Sequence, residues 1–283
     1  MTKSNEIKEQ QRKLWNKFSP GWKKWDAFVM SWLKPIGNKL LEKVQLRNGE
    51  TILDVATGTG EPGISAAKLI PNGTVVGIDL SEEMIQIANQ HANEQRVTNY
   101  SAQVEDLSQG FSFADNYFDK VVCRFGIMYF PDPASDLKEV ARVLKPGGRI
   151  AFSAWAEPPK NPWATTAASV INKLLELPPT PADAPGVFRH SLPNSLRQLF
   201  TEAGLTNIME EEVTGSMVFD NSEEYWKFVM DVVAPVAIPL SKADNAMRQK
   251  AKEKVLEECS RFKRKDGKII FPWSSWICSG VKR

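Results

Sequence analysis

The chain has 283 residues, 42% of them hydrophobic and 25% charged, with a net charge of +2. That composition excludes wholesale disorder, a collagen and a coiled-coil rod, and no apolar run reaches the roughly 18 residues a membrane-spanning helix requires. The net charge is too small to imply nucleic acid. Three scattered cysteines (Cys123, Cys259, Cys278) form no CxxC pair, which argues against a zinc site or a disulfide framework. With no apolar stretch at the N-terminus to act as a secretory signal, the expectation is one large domain, or a domain with an insertion, in the reducing cytoplasm.

Charge is unevenly spread. Residues 1–50 carry eleven Lys/Arg against five Asp/Glu, while residues 51–150 carry eight against thirteen. Residues 1–50 read as two helices broken at Ser19-Pro20-Gly21. TILDVA (51–56) is a short apolar strand ending in a glycine-rich turn, and 62–70 read as a helix. TVVGID (74–79) is a second strand. Ser81 then caps an amphipathic helix that has Glu82 and Glu83 in its first turn. Residues 97–104 fit a third strand and FDKVVC (118–123) a fourth. Residues 134–144 show helical 3–4 spacing in Leu137, Val140, Ala141 and Leu144. LKPGG (144–148) reads as a helix stop and turn, and RIAFSAW (149–155) as a fifth strand. Strands and helices alternating this regularly predict a doubly wound α/β sheet, mostly parallel and covered on both faces. Residues 156–192 are rich in proline around a helix at 163–176, and a segment that long between strands predicts a functional cover. A helix at 194–204, a strand over 205–220, two polar helices near 222–233 and 241–262 and a last strand at 274–282 complete the chain. The basic cluster at Arg261, Lys263, Arg264 and Lys265 reads as a solvated helix end.

The chemistry-bearing run is Asp54-Val55-Ala56-Thr57-Gly58-Thr59-Gly60-Glu61-Pro62-Gly63. The first strand-to-helix turn of such a sheet is where nucleotides bind, and its glycines let the backbone approach a ligand. Asp79 ends the second strand and can accept hydrogen bonds from two ribose hydroxyls. Gly58, Gly60 and Gly63 spell GxGxxG, which alone would suit a dinucleotide and an NAD(P)-dependent oxidoreductase. Asp54 and Glu61 oppose that reading, because carboxylates there repel a pyrophosphate but welcome a ligand bearing an ammonium and a sulfonium. S-adenosylmethionine carries both and has no phosphate. The bland reading of Asp54 is a turn cap.

LDVATGTGE, the acidic end of GIDLS followed by Met84, FSFADNYFDKVVC and EVARVLKPGGRIAFSAW, in that order, resemble class I S-adenosylmethionine-dependent methyltransferases. The nearest type is the ubiquinone/menaquinone-biosynthesis C-methyltransferases and their small-molecule relatives. The likeness is good over 51–155 and loose through FTEAGLTNI (200–208). It implies a Rossmann-like methyltransferase fold: a mostly parallel seven-stranded sheet, with a terminal antiparallel edge and helical lid insertions. The segments would be an N-terminal helical lid (1–48), a cofactor-binding core (49–155), a cover (156–192) and a C-terminal part (193–283) with a helical insertion at about 221–266. The resemblance further implies that Asp54 orients the methionine end of S-adenosylmethionine and that Thr57, Gly58, Thr59 and Gly60 line it. Asp79 would bind the ribose, and Leu80 and Met84 would pack on adenine. Gln103 and Val104 fall at the adenine-recognition turn, with Glu105 or Asp106 as alternative contacts, and Arg124 would sit beside the methionine moiety. The product would be S-adenosylhomocysteine.

Methyl transfer from a sulfonium is an in-line displacement, so the protein must mainly align the acceptor and exclude water. No N/D-P-P-Y/F turn follows the fourth strand, and Cys123 follows a valine, so neither signature of nucleic-acid methylation is met. The expected partner is a small hydrophobic or aromatic acceptor, methylated at C, O or N, with no metal and no nucleic acid. Trp22, Trp25, Tyr129, Trp155, Trp163, Phe188, Tyr225 and Trp226 are the candidate acceptor-binding residues, and His190 is the candidate general base, with Tyr129 and Asp132 as rivals. Four of the nine tryptophans lie in residues 1–32. They could pack the helices on the sheet, close a lid, or place residues 1–33 weakly on an anionic membrane surface. A non-catalytic S-adenosylmethionine-binding protein remains a further alternative.

Overall fold

A computed structural model describes residues 3–181 and 184–283. Residues 1–2 of the expected lid and 182–183 of the expected cover lie outside the described residues. The elements in chain order are α1 (Lys3–Lys24), α2 (Asp26–Val44), β1 (Thr51–Val55), α3 (Gly63–Leu69), β2 (Thr74–Asp79), α4 (Glu82–Glu94), β3 (Tyr100–Val104), β4 (Phe118–Arg124), α5 (Pro133–Val143) and β5 (Leu144–Trp155). Then follow α6 (Pro162–Leu174), α7 (Ser195–Glu202), β6 (Leu205–Phe219), α8 (Ser222–Val232), α9 (Ala234–Ser241), α10 (Asn245–Cys259) and β7 (Ile269–Lys282).

The seven strands form one sheet in the order β3-β2-β1-β4-β5-β7-β6. The first five are parallel, and β7 runs antiparallel to both neighbours. The central strands β1 and β4 are buried almost end to end, as a sheet covered on both faces requires. β7 is antiparallel as expected but is not the edge. It lies between β5 and β6, so β6 is the edge strand. β7 also begins at Ile269, five residues earlier than its sequence suggests, because those residues continue the pairing with β6 out to Phe219.

Three local expectations are corrected. LKPGG is not a free turn: it belongs to β5, where the pairing with β4 jumps from Phe118↔Leu144 to Lys120↔Arg149 around a bulge with Gly147 at φ +75°. A third helix, α9, follows α8; its Pro235 sits in the first turn, where no backbone donor is needed. The N-terminal break falls at Trp25, not at Ser19-Pro20-Gly21, and α1 runs through Pro20. Pro20 cannot donate to the Asn16 carbonyl four residues back, and the Ser19 hydroxyl does so instead at 2.9 Å. Gly21 is a close-approach glycine, since a β-carbon there would overlap the Asp231 carbonyl of α8.

These two contacts explain how the N-terminal region is used. α2 buries Val29, Trp32, Leu33, Ile36, Leu40 and Val44 in the main core. α1 crosses the carboxyl ends of the strands and is held there by ion pairs Lys8–Asp106 (2.6 Å) and Lys24–Asp231 (2.7 Å).

Candidate active site

At the carboxyl ends of the strands lies a cleft with a cavity volume of about 260 Å³. The turn after β1 forms one wall. Gly58 has φ +56°, and a β-carbon there would meet nothing within 4 Å, so the backbone faces open space at the cavity. Gly60 (φ +108°) serves packing instead: a β-carbon would press on Ile64 of α3.

Asp54 is fully buried just beneath this wall. Its Oδ2 accepts from Thr57 Oγ1 (2.6 Å) and from the Gly63 amide (2.9 Å) at the start of α3. Its Oδ1 is buried without a partner. Burial raises its carboxyl to about 7, against the lowering by the Thr57 hydrogen bond and the nearby Arg124 charge. Asp79 accepts from the Gly58 amide through Oδ2 (3.0 Å) and the Ser81 amide through Oδ1 (2.9 Å), which ties the end of β2 to the glycine turn. Burial raises its pKa as well. Ser81 caps α4 by accepting from the Met84 amide, and so places Leu80 and Met84 on the cavity wall.

The turn after β3 differs by one or two positions from the expected alignment. Glu105 and Asp106 line the cavity, whereas Gln103 and Val104 do not. Val104 is 45% exposed, and the Gln103 amide donates to Glu105 Oε1 at 2.9 Å. At the end of β4, Arg124 is drawn from water and its pKa is lowered by that burial, with Glu61, Asp54 and Asp26 acting the other way. Its Nη1 donates to the Met30 sulfur at 3.5 Å. Phe125 follows with φ +63°, a conformation a bulky residue holds only when its surroundings impose it. Its ring stacks on Trp155 at 4.1 Å.

The far half of the cavity is aromatic. Trp15, Phe18 and Trp22 come from α1, Trp32 from α2, Tyr129 from the turn after β4, Trp155 from the end of β5, Trp163 from the start of α6, and Phe228 from α8. Of the other candidates, Trp25 donates from Nε1 to Asp231 (2.8 Å) and packs on Phe228, outside the lining. Tyr225 is fully buried with its hydroxyl on the Trp163 carbonyl (2.8 Å), a brace behind the wall. Phe188 and Trp226 pack against the core but do not reach the cavity. His190 also lies off the cavity, with Nδ1 paired to Ser195 Oγ (3.1 Å). Burial and the Arg189 charge lower its pKa to about 4, which does not suit a base working near neutrality. Trp15, Trp22 and Trp32 line the cavity and Trp25 packs against the core, so the tryptophans of α1 and α2 serve packing and the cleft.

The sequence reading missed Phe125, Asp136 and the Lys8–Gln11–Trp15 face of α1 as cavity residues. The first two follow the carboxyl end of β4, where position alone flags them, and the third shows helical spacing but carries no sign of what it faces. Five carboxylates line the cavity (Glu61, Asp79, Glu105, Asp106, Asp136) against two cations, Lys8 and Arg124. Even with Asp136 partly protonated the carboxylates outnumber the cations, and that balance, with a carboxylate already holding the amide at the start of α3, disfavours a pyrophosphate.

A methyltransferase-domain family model matches residues 46–204. The chain belongs to that family. It is an S-adenosylmethionine-dependent methyltransferase. The ubiquinone/menaquinone biosynthesis C-methyltransferase UbiE of Yersinia pestis (strain Pestoides F) is 26% identical over 183 residues, covering 61% of this chain and 73% of the relative. Among solved structures, the YcgJ protein of Bacillus subtilis superposes with a TM-score of 0.57 at 19% identity, covering 88% of this chain and 99% of that one. Phosphoethanolamine N-methyltransferase 2 of Haemonchus contortus gives 0.54 at 15%, covering 88% and 52%. At such identities these two likenesses show the fold. The residues present fit the methyl donor: the unpartnered Asp54 oxygen, the open face at Gly58 and the acidic lining all favour a cationic ligand without phosphate.

Proposed function

We propose that this enzyme methylates a small aromatic or otherwise apolar organic acceptor. The observation that carries the reading is the wall of aromatic side chains that meets the glycine turn inside one cleft. S-adenosylmethionine supplies an electrophilic methyl group on a sulfonium. In this reading Thr57, Gly58 and Thr59 line the donor, and the Asp54 charge favours its ammonium from beneath the turn. Asp79 receives the ribose hydroxyls, Leu80 and Met84 flank the adenine, Glu105 and Asp106 stand at its polar edge, and Arg124 faces the carboxylate end. Trp22, Tyr129, Trp155 and Trp163, joined by Trp32 and Phe125, hold the acceptor flat and keep water out, which is most of what an in-line methyl transfer asks of a protein. His190 has no part in it. The three cysteines are buried free thiols, which suits a cytoplasmic enzyme.

Parallel calorimetric titrations with S-adenosylmethionine, S-adenosylhomocysteine and NADH test the donor half. The first two should bind in the micromolar range while NADH gives no heat. A panel of phenols, quinols and amines then tests the acceptor half, and turnover of none of them would count against an aromatic acceptor. Asp79→Ala should weaken S-adenosylhomocysteine binding by roughly 1.5–3 kcal/mol, the worth of a charge-assisted hydrogen bond. An unchanged dissociation constant would remove Asp79 from the ribose.

A further inference from the structure

The aromatic chamber meets the donor wall at the turn after β4, from which Phe125, Gly126, Tyr129 and Phe130 line the cavity. Gly126 packs on the turn after β1 so closely that a β-carbon there would overlap the Ala56 side chain. The turn is braced along its length. The Tyr129 amide donates to the Gly126 carbonyl (2.9 Å), and the Met128 carbonyl accepts from the Gly186 amide (3.2 Å). The Phe130 carbonyl accepts from Arg189 Nη1. Tyr129 is thus held at the junction of the two halves, its ring edge-on to Trp15 of α1 at 4.9 Å.

Its hydroxyl is the feature the aromatic wall does not explain. Tyr225, by contrast, is fully buried and spends its hydroxyl on the Trp163 carbonyl. Tyr129 is only half-buried, and among the described residues its hydroxyl has no hydrogen-bond partner. Nor is it sealed from solvent, as the Trp22 and Trp32 indole nitrogens are. Desolvation alone pushes this hydroxyl well above the usual tyrosine value, with no charged group contributing. A side chain that keeps accessible surface yet is so desolvated shows that surface inside the cleft, not on the outer face of the protein. Held neutral, the hydroxyl is no base near neutral pH; a phenol O–H is chiefly a donor, because its lone pair is shared with the ring. Asp132 of the same turn is off the cavity and caps α5, accepting from the Ser135 amide (3.2 Å).

We infer that Tyr129 selects and orients the methyl acceptor by donating its phenol O–H to an oxygen on a planar aromatic substrate. This rests on the aromatic-acceptor reading of the chamber and goes beyond it by naming the recognised atom and the residue that reads it. A hydrocarbon of the same shape would strip the hydroxyl of water and return no bond, so discrimination comes from that penalty as much as from the bond itself.

The test pairs the Tyr129 hydroxyl with a carbonyl. Methyl naphthyl ketone and isopropenylnaphthalene differ by an oxygen in place of a methylene, and the ketone can only accept. Dissociation constants of both are measured by equilibrium dialysis on the full-length protein saturated with S-adenosylhomocysteine, in the wild type and in Tyr129→Phe, which keeps the ring against Trp15. The substitution should weaken the ketone about fivefold and the alkene by less than about twofold. The affinity for S-adenosylhomocysteine should not change. An equal loss for both probes, or a parallel loss of S-adenosylhomocysteine, would reduce Tyr129 to packing and overturn the inference. So would an unchanged affinity for the ketone. These outcomes leave the aromatic-acceptor reading standing, whereas failure of both probes to bind the wild-type protein would overturn that reading and the inference together.

Discussion

Asp54 shows how one side chain can be read correctly as to place and incompletely as to physics. Its position on the strand before the glycine turn is a matter of spacing. That one oxygen braces the start of α3 while the other stays unpaired depends on burial, which also lifts the carboxyl to about 7. A cationic donor favours the ionised form, so its affinity should rise as the pH climbs from about 6 to 7.5, by roughly tenfold at most. Asp54→Asn should bind more weakly and lose that rise. Titrations of S-adenosylmethionine at several pH values measure both, and a pH-independent affinity in the wild-type protein would remove Asp54 from the donor's charge balance. The same scale explains His190 and the turn after β3. Histidine identity suggests a base, but only its neighbours show that it is buried beside Arg189 and off the cleft. Gln103 and Val104 sit one strand residue too early, because β3 continues through Val104 and the chain turns toward the cavity only at Glu105.

Among elements, the sheet strands and their helices were legible because each carries its own signal: β-branched runs, a Ser81 cap, 3–4 spacing in α5. α1 was not, because Ser19-Pro20-Gly21 is a strong local breaker. The helix survives since the Ser19 hydroxyl takes over the Asn16 carbonyl and Gly21 lets α8 approach, and both reasons lie outside local propensity. Gly21→Ala should therefore cost stability by overpacking, on the order of 1–3 kcal/mol, although alanine is the better helix former. Denaturant melts measure the loss. Lifting α1 from α8 should also weaken S-adenosylhomocysteine binding, since α1 supplies Lys8 and Gln11 to the cavity. A more stable variant would show that the contact with Asp231 yields freely.

On the scale of the whole molecule, the cleft stores buried acid. Asp136 is 2% exposed on the core face of α5, and desolvation is the chief cause that raises it to about 7. A carboxyl whose folded pKa lies above its unfolded value contributes stability that is complete below about pH 4 and is lost as the pH rises through about 7. The protein should thus melt lower at pH 8 than at pH 5, and Asp136→Asn, which can still accept from the Asp132 amide, should flatten that decline. Thermal melts across the range provide the check, and an identical slope in the variant would show that Asp136 is not the group responsible.

The division between what is local and what is not runs through the cleft itself. Much of the wall read as the donor side lies in one continuous stretch from Asp54 through Met84, in which strand, turn and cap follow from spacing, and the residues the family resemblance marks there, Thr57, Gly58, Thr59, Asp79, Leu80 and Met84, all line the cavity. The aromatic side of the cavity is assembled from α1, α2, the ends of β4 and β5, α6 and α8. In each of these an aromatic residue at helical or strand spacing reads the same whether it faces the core or the cavity. Trp22 and Trp25 are three residues apart on neighbouring turns, yet one lines the chamber and the other is tied to Asp231. Periodicity specifies that a face is apolar. Which apolar faces meet, and which enclose a space for substrate, is decided only when distant segments pack.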